Sequence, residues 1–398
     1  MIITEKLRIM QFVKRIVDFL NISSFMVEVE RVKDPSLKSR PAIIAATNSD
    51  RSKVWDVSSE AKEIGIVKGM DLAVAKRMEK GLRVVEPRPD LYNSIHKKLL
   101  YMASRLTPVY ESCAPGKIYL DFSGFDKLYG RPQNFARKIQ SNIQEGFQLR
   151  PRLGISENKL VAKAATNPYQ ISEEVFLVNG SDKERFLDPF PNQVLPVIKQ
   201  LKKSSSYMEI FDDLNLQTVG DLKCLDPITL EAIFPEKSRL IFQMARGIDN
   251  SPVTPPKNEP TVIVEAHLEE ETNSLERIRE VMFALSEQAF AKLRSKGFFT
   301  RKFKLALRYS DYKYLEKTSK LESSIEYSHD LQAQLLRSLG FLYTRRTSIR
   351  YIMIELMDLG KQQVQLSLLE DPKKPLISAM DQINKKFPRK IKLGREII

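Results

Sequence analysis

Cysteine, histidine and long apolar runs are scarce in this 398-residue chain, and each scarcity removes a class of function. Two cysteines, Cys113 and Cys224, cannot build a disulfide framework, and neither stands in a metal-ligand spacing. A reducing, cytoplasmic setting is therefore expected. His96, His267 and His329 are scattered, with no serine or cysteine partner nearby in sequence, and are expected to be structural or surface residues. No P-loop, dinucleotide fingerprint or zinc spacing occurs. No apolar run approaches the ~20 residues of a transmembrane helix. Met1–Lys14 carries Glu5, Lys6 and Arg8 and no small-residue cleavage site, so a signal peptide is not expected.

Positive charge is plentiful. Lysine and arginine number 64 against 50 acids, a net charge of +14. An excess of this size points to a polyanionic partner, most simply nucleic acid, with solubility alone as the alternative. The length suits two to four domains, and a hydrophobic content of 42% is ordinary for a globular protein.

Val17–Val32 reads as a strand opening into a helix, and Ala42–Ala46 as a strand. Ser58 or Ser59, followed by Glu60 and Ala61, reads as a helix start, because a hydroxyl satisfies a free N–H of the first turn. Gly65 is where that helix would stop. Ile95, Leu99, Met102 and Leu106 fall at helical spacing, so Leu91–Leu106 is predicted to be an amphipathic helix. Ile118–Phe122 is a short strand before a turn at Gly124, and Phe135–Glu145 is helical. Arg152–Ile155 is a strand leading into a helix over Asn158–Ala165. Strand–helix alternation of this kind predicts a mixed sheet with helices on it. Leu214–Gly247 reads as several short helices. Pro252, Pro255, Pro256 and Pro260 then mark a linker over Asn250–Pro260. Beyond it, a strand at Val262–Leu268, a long helix from Leu275 to Gly297, and strands at Arg301–Tyr309 and Ser348–Met357 form another domain. The end, Gly360–Ile398, is polar and basic.

Four stretches carry a family resemblance. They are Ser58-Ser59-Glu60-Ala61-Lys62-Glu63-Ile64-Gly65-Ile66 running to Gly69-Met70; Ile118-Tyr119-Leu120-Asp121-Phe122-Ser123-Gly124 with Leu128-Tyr129-Gly130; Leu153-Gly154-Ile155-Ser156-Glu157-Asn158-Lys159-Leu160-Val161-Ala162-Lys163-Ala164-Ala165; and Leu216–Leu222 with Ala245-Arg246-Gly247-Ile248-Asp249. In order and spacing these resemble the fingers helix, the palm strand, the GIS-x-NK-x-x-AK-x-A signature and the thumb of Y-family (UmuC/DinB-like) lesion-bypass DNA polymerases. The resemblance implies an α+β multidomain fold, a right hand plus a little-finger domain. Palm would occupy 1–40 and 91–172, fingers 41–90, a helical thumb 173–250, the linker 251–260, the little finger 261–360, and a clamp-binding motif with a basic tail 361–398.

Nucleotidyl transfer in that family uses two divalent cations held by clustered carboxylates. Phe25–Glu30 aligns with the family's F-F-A-x-V-E, which puts Asn21 at the first catalytic Asp and Ser23 at the next ligand. Tyr119-Leu120-Asp121 aligns with Y-L-D, which puts Gly116 and Lys117 at the Asp-Glu pair. Asp18 would lie on the opposite face of its strand, and Asp121 matches the structural acid of the Y-L-D strand. The family's steric gate maps to Met26, and its triphosphate-binding Tyr and Arg map to Ser59 and Lys62. Lys159 matches a phosphate-contacting lysine, with a solvated helix lysine as the other reading. A loss spread over metal, sugar and triphosphate contacts resembles the inactive ImuB-type members.

The basic surface is expected after the linker. Lys292, Arg294, Lys296, Arg301, Lys302, Lys304 and Arg308 occur with no acid between 292 and 308. On a strand, Lys302, Lys304 and Arg308 share one face and Phe303, Leu305 and Leu307 the other, so a row of cations tracking DNA phosphates is expected. Arg345, Arg346 and Arg350 lie beside or on another strand. In the thumb, the stretch matching the family's glycine hairpin is Lys202-Lys203-Ser204-Ser205-Ser206, without glycine. Gln365, Leu366, Leu368 and Leu369 resemble the peptide by which bacterial polymerases dock on the sliding clamp, with the end of a packed domain as the alternative.

These features together imply a non-catalytic Y-family homologue. It would bind primer–template DNA and the clamp as an adaptor in damage-induced mutagenesis, with no cofactor and no membrane. Its partners would be a replicative-type polymerase and a RecA-like accessory protein. The alternative is an active translesion polymerase with an atypical Mg²⁺ site. A purely structural scaffold is disfavoured by the basic strand.

Overall fold

The computed structural model describes residues 15–361, apart from 48, 126–129, 168–170, 203–204, 257–259 and 326. The chain divides into two compact units, 1–257 and 258–398.

In the first unit, β1 (Val17–Asn21) leads into α1 (Phe25–Lys33). A three-stranded sheet follows, with β2 (Ala42–Ile44) between β3 (Asp56–Val57) and β4 (Arg83–Val85). It is covered by α2 (Ser59–Glu63) and α3 (Leu72–Met78) around Ile43, Val57, Ala61 and Leu72. Of the two candidate caps it is Ser58 that starts α2, its Oγ accepting from Ala61 N at 3.1 Å.

Next come α4 (Pro89–Leu106), β5 (Tyr110–Ala114), β6 (Lys117–Asp121), α5 (Pro132–Phe147), β7 (Arg152–Ser156), α6 (Lys159–Ala164) and β8 (Val175–Leu177). Their sheet has the order β5-β6-β1-β7-β8. The central strand β1 is antiparallel to both β6 and β7, while β7 and β8 are parallel. Side chains alternate along it. Leu20, Ile118, Leu120 and Leu153 pack with Leu99 of α4 and Ile139 and Ile143 of α5. Val17, Phe19 and Tyr119 face the other way and pack with Ala162 of α6. Gly154 makes that second layer possible: a Cβ there would lie 2.1 Å from the carbonyl oxygen of Ala162.

Among the described residues, six short α-helices follow: α7 (Lys183–Leu187), α8 (Pro196–Leu201), α9 (Ser205–Asp213), α10 (Val219–Cys224), α11 (Pro227–Ile233) and α12 (Ser238–Ala245). They share a core of Phe190, Phe211, Leu222, Leu230 and Ile241. The start of the expected linker is not a free tether. Val253 is buried against the sheet, and Thr254 N donates to Glu111 at 2.7 Å.

The second unit holds β9 (Val262–Thr272), α13 (Leu275–Ser295), β10 (Phe298–Tyr309), β11 (Tyr314–Ile325), α14 (Ser328–Leu342) and β12 (Ile349–Lys361). Its antiparallel sheet has the order β11-β10-β12-β9, with α13 and α14 on one face over Phe303, Leu305, Leu307, Ile352 and Ile354. Strand β11 and helix α14 have no counterpart in the expectation from sequence.

Candidate functional site: the palm face and the basic sheet

The β1–β6 ladder pairs Asn21 directly with Lys117. Both therefore lie on the α6 side of the sheet, the face of Phe19 and Tyr119. Asn21 Nδ2 donates to Thr166 Oγ1 at 3.1 Å, and Asn21 Oδ1 is buried with no hydrogen-bond partner among the described residues. Gly116 is the second central residue of an Ala114-Pro115-Gly116-Lys117 hairpin turn, with φ at +74°. Proline then glycine at the two central positions is the pairing a type II turn favours. The turn is tied down on both sides, since Ile22 N donates to Gly116 O at 2.9 Å and Gly116 N donates to His96 Nδ1 at 3.3 Å. A Cβ at 116 would lie 2.6 Å from Phe25 Cδ2. His96 is thus a structural residue, and burial lowers its pKa.

A pair of Mg²⁺ ions wants clustered carboxylate oxygen. The family's three acid positions here supply one amide, one glycine and one ammonium, a donor set that does not fit. Asp18 does not replace them. It pairs with Leu120 and Ile155, so it sits on the α4–α5 face, away from Asn21. It is fully buried, and Oδ1 has no hydrogen-bond partner among the described residues. Burial first, and the Asp121 charge second, hold its carboxyl well above the usual carboxylate range. A carboxyl with its pKa raised on folding destabilises the fold once the unfolded chain ionises, near pH 4, and the penalty grows until pH passes the folded value. Asp18→Asn is therefore expected to raise Tm at pH 7, with a difference that vanishes towards pH 4; melting curves across that range check it.

Met26 is held through its backbone by a carboxylate that the sequence did not single out. Asp56 of β3 is buried, and its Oδ2 accepts from the α1 N–H groups of Met26 at 2.8 Å and Val27 at 3.4 Å. Its Oδ1 accepts from Val57 N and pairs with Lys68 Nζ at 2.8 Å. It caps α1 in place of Ser24, whose hydroxyl instead accepts from Lys62 Nζ at 2.9 Å. Met26 packs against the buried cluster of Val27, Ala42 and Ile44, while Ser59 is exposed and donates to Glu60. Arg31 pairs with Glu28 and Glu60, and buried Glu30 is held by Arg88 and by the Tyr92 hydroxyl at 2.7 Å.

Lys159 is neither solvated nor free for phosphate. Its ammonium donates to both Glu111 oxygens at 2.7 Å and lies 4.8 Å from the Tyr119 ring centre. Glu111 on the neighbouring hairpin is what the sequence motif did not reveal. In the thumb stretch, Lys202 lies over the Phe211 ring, and Lys203 and Ser204 fall outside the described residues.

The basic sheet also needs correcting. Lys302, Lys304 and Arg308 do share the face opposite α13 and α14, but they are not a row of free cations. Lys304 lies between Glu316 at 3.5 Å and Glu355 at 3.4 Å. Arg308 is buried, with its guanidinium 4.4 Å from the Tyr351 ring centre, and the Tyr351 hydroxyl donates to Glu265 at 2.7 Å. Cross-strand neighbours build a sheet face, and acids on β9, β11 and β12 intervene where β10 alone has none. Arg345 makes a two-pronged pair with Asp311 at 2.9 and 2.6 Å, and Arg350 stacks on Tyr312 beside Glu271. Arg294 is half-buried near Tyr327. Lys292, Lys296, Arg301 and Arg346 are the exposed cations of the set, with Lys302 half-buried. Gln365, Leu366, Leu368 and Leu369 lie outside the described residues.

Comparison with known proteins identifies the scaffold. The impB/mucB/samB family matches residues 20–167, and the impB/mucB/samB family C-terminal domain matches residues 259–368. A DNA polymerase IV of Dehalococcoides mccartyi is 27% identical over 373 residues, 92% of this chain and 94% of the relative. A DNA polymerase IV of Clostridioides difficile is 26% identical over 345 residues, 86% and 93% of the two chains. Among solved structures, a Y-family DNA polymerase chimera of Dbh and Dpo4 matches with a TM-score of 0.60 at 19% identity, and DinB from Sulfolobus solfataricus matches equally. Each covers 87% of this chain and all of the matched chain. The chain belongs to the impB/mucB/samB family, the UmuC/DinB-like Y-family of DNA polymerases.

Proposed function

We propose that this Y-family protein binds primer–template DNA without synthesising on it, and serves as an adaptor in translesion synthesis together with the sliding clamp. The observation that carries the reading is the pairing of Asn21 with Lys117 beside the Gly116 turn, at the positions where the family places its acids. An amide binds Mg²⁺ weakly, glycine offers no side chain, and an ammonium repels the cation. The partner that makes the phosphodiester bonds would be a separate, replicative-type polymerase, with a RecA-like accessory protein as a further partner. The second reading is an active translesion polymerase with an atypical Mg²⁺ site, favoured by one observation: the similar relatives are named DNA polymerase IV.

DNA binding without catalysis rests on neutralising phosphates and releasing their counterions. Binding is expected to persist in EDTA and to weaken steeply with salt. Changing the exposed Lys292, Lys296, Arg301 and Arg346 together to Ala should flatten the log–log salt slope by about 0.9 for each phosphate that is no longer neutralised. Lys304→Ala, which removes a cation already held by two glutamates, should leave the slope unchanged. An unchanged slope in the fourfold variant would remove this surface from the reading.

A further inference from the structure

Strand β11 is paired on one side only. Among the described residues its neighbour is β10, and its other side is an edge of the sheet. Its side chains alternate. Glu316, Thr318, Lys320 and Glu322 are exposed, while Leu315, Lys317, Ser319 and Leu321 are half-buried. The half-buried set faces α14: Lys317 Nζ lies 2.9 Å from the Phe341 ring centre, and Ser319 Oγ lies 3.5 Å from Ser338 Oγ. Phe341 itself is 68% exposed. On the open face the ladder sets Lys320 directly opposite Lys302, a like-charge pair that costs stability. Among the described residues no carboxylate forms an ion pair with Lys320.

Lysines on a sheet edge discourage pairing with an arbitrary strand, but a second copy of β11 is not arbitrary. Two copies related by a two-fold axis pair antiparallel, and the axis must pass at a residue, because opposed residues point their backbone groups the same way. With Thr318 on the axis, Glu316 faces Lys320 twice, Lys317 faces Ser319, Leu315 faces Leu321, and no like charges are opposed. Moving the axis to Lys317 or Lys320 sets lysine against lysine, and moving it to Ser319 sets Glu316 against Glu322. An axis at Leu321 would run through 321–324, which have no partners in the β10 ladder. We propose that β11 is the docking edge for a second copy of this chain, joining two four-stranded sheets across a two-fold axis at Thr318. Lys320 then gains Glu316 of the second copy as the acid it lacks, and the two α14 helices lie on the same side, where Phe341 is covered. This interface goes beyond the adaptor reading and does not depend on it.

The test is sedimentation of the full chain over a concentration series, where a monomer–dimer equilibrium is expected. Lys320→Glu opposes two glutamates across the axis, so dimer affinity should fall about tenfold or more. The same change sets opposite charge against Lys302, so the melting temperature of the dilute monomer should hold or rise, which separates loss of the dimer from loss of the fold. Glu316→Lys/Lys320→Glu exchanges the charges and should restore the dimer. In a Cys113→Ser/Cys224→Ser background, Thr318→Cys should cross-link on oxidation, because opposed residues bring their Cα atoms to about 4.5–5.5 Å. Glu322→Cys should not, because its two copies would lie at opposite ends of the paired stretch. A chain that stays monomeric, whether its edge is bare or covered by residues 362–398, overturns the assignment. So does a dimer indifferent to Lys320→Glu, or equal cross-linking of Thr318→Cys and Glu322→Cys.

Discussion

Restoring the acids, Asn21→Asp, Gly116→Asp and Lys117→Glu together, is expected to give a less stable protein that still extends no primer. At 116 the backbone is in the left-handed region, which costs a residue with a Cβ roughly 1–2 kcal/mol. The new Cβ also meets the Phe25 side chain at 2.6–2.9 Å, and that side chain sits in a packed core. Overpacking of this kind costs about 1–3 kcal/mol more. Relaxation must move Phe25, the first residue of α1, and with it the hydrogen bonds between α1 and Asp56. The single variant Gly116→Ala isolates the steric part. Its cost should shrink when combined with Phe25→Leu, and unfolding midpoints of the four proteins measure that coupling. Primer extension by the triple variant would show instead that the turn adapts freely and that the missing carboxylates alone separate this chain from a polymerase.

The second large effect concerns the clamp. A protein that makes no phosphodiester bond acts at a fork through what it holds together. Two modest affinities, for DNA and for the ring around it, reinforce each other through effective concentration. Leu368→Ala with Leu369→Ala removes two apolar anchors, each worth about 1–3 kcal/mol if fully buried. Clamp affinity should fall at least tenfold while affinity for free duplex stays the same. The Gly360–Ile398 peptide, titrated alone, should bind the clamp. Because Gln365–Leu368 falls inside the span matched by the C-terminal domain family, the competing outcome is definite. A silent peptide and an unaffected double variant would make the motif the end of a packed domain.

What the sequence revealed follows a physical pattern. The scaffold was legible because its signals are local. The strand-to-helix run of Val17–Val32, the cap at Ser58 or Ser59 and the strand–helix run from Arg152 to Ala165 each sit within a few residues of their effect. The positions of Asn21, Gly116 and Lys117 were legible through family spacing, and the ladder then paired two of them. Charge on a surface was not legible, because it is set across strands: β10 carries no acid, yet Glu316, Glu355 and Glu265 reach its face from three other strands. The same reason hid Glu111 behind Lys159 and Asp56 behind Met26. Strand β11 was missed because Lys317, Lys320, Glu316 and Glu322 give it the charged look of a loop, as sheet edges often have. Helix α14 was within reach, since Leu331, Leu335, Leu339 and Leu342 fall at helical spacing and all are buried.

Absence of synthesis is the central claim. The most direct measurement is extension of a labelled primer on undamaged and lesion-bearing templates, with protein free of host polymerases, in Mg²⁺ and separately in Mn²⁺. The proposed reading predicts no added nucleotide under either metal, alongside a mobility shift showing that the same preparation binds the primer–template. Templated incorporation by this preparation under either metal would contradict it.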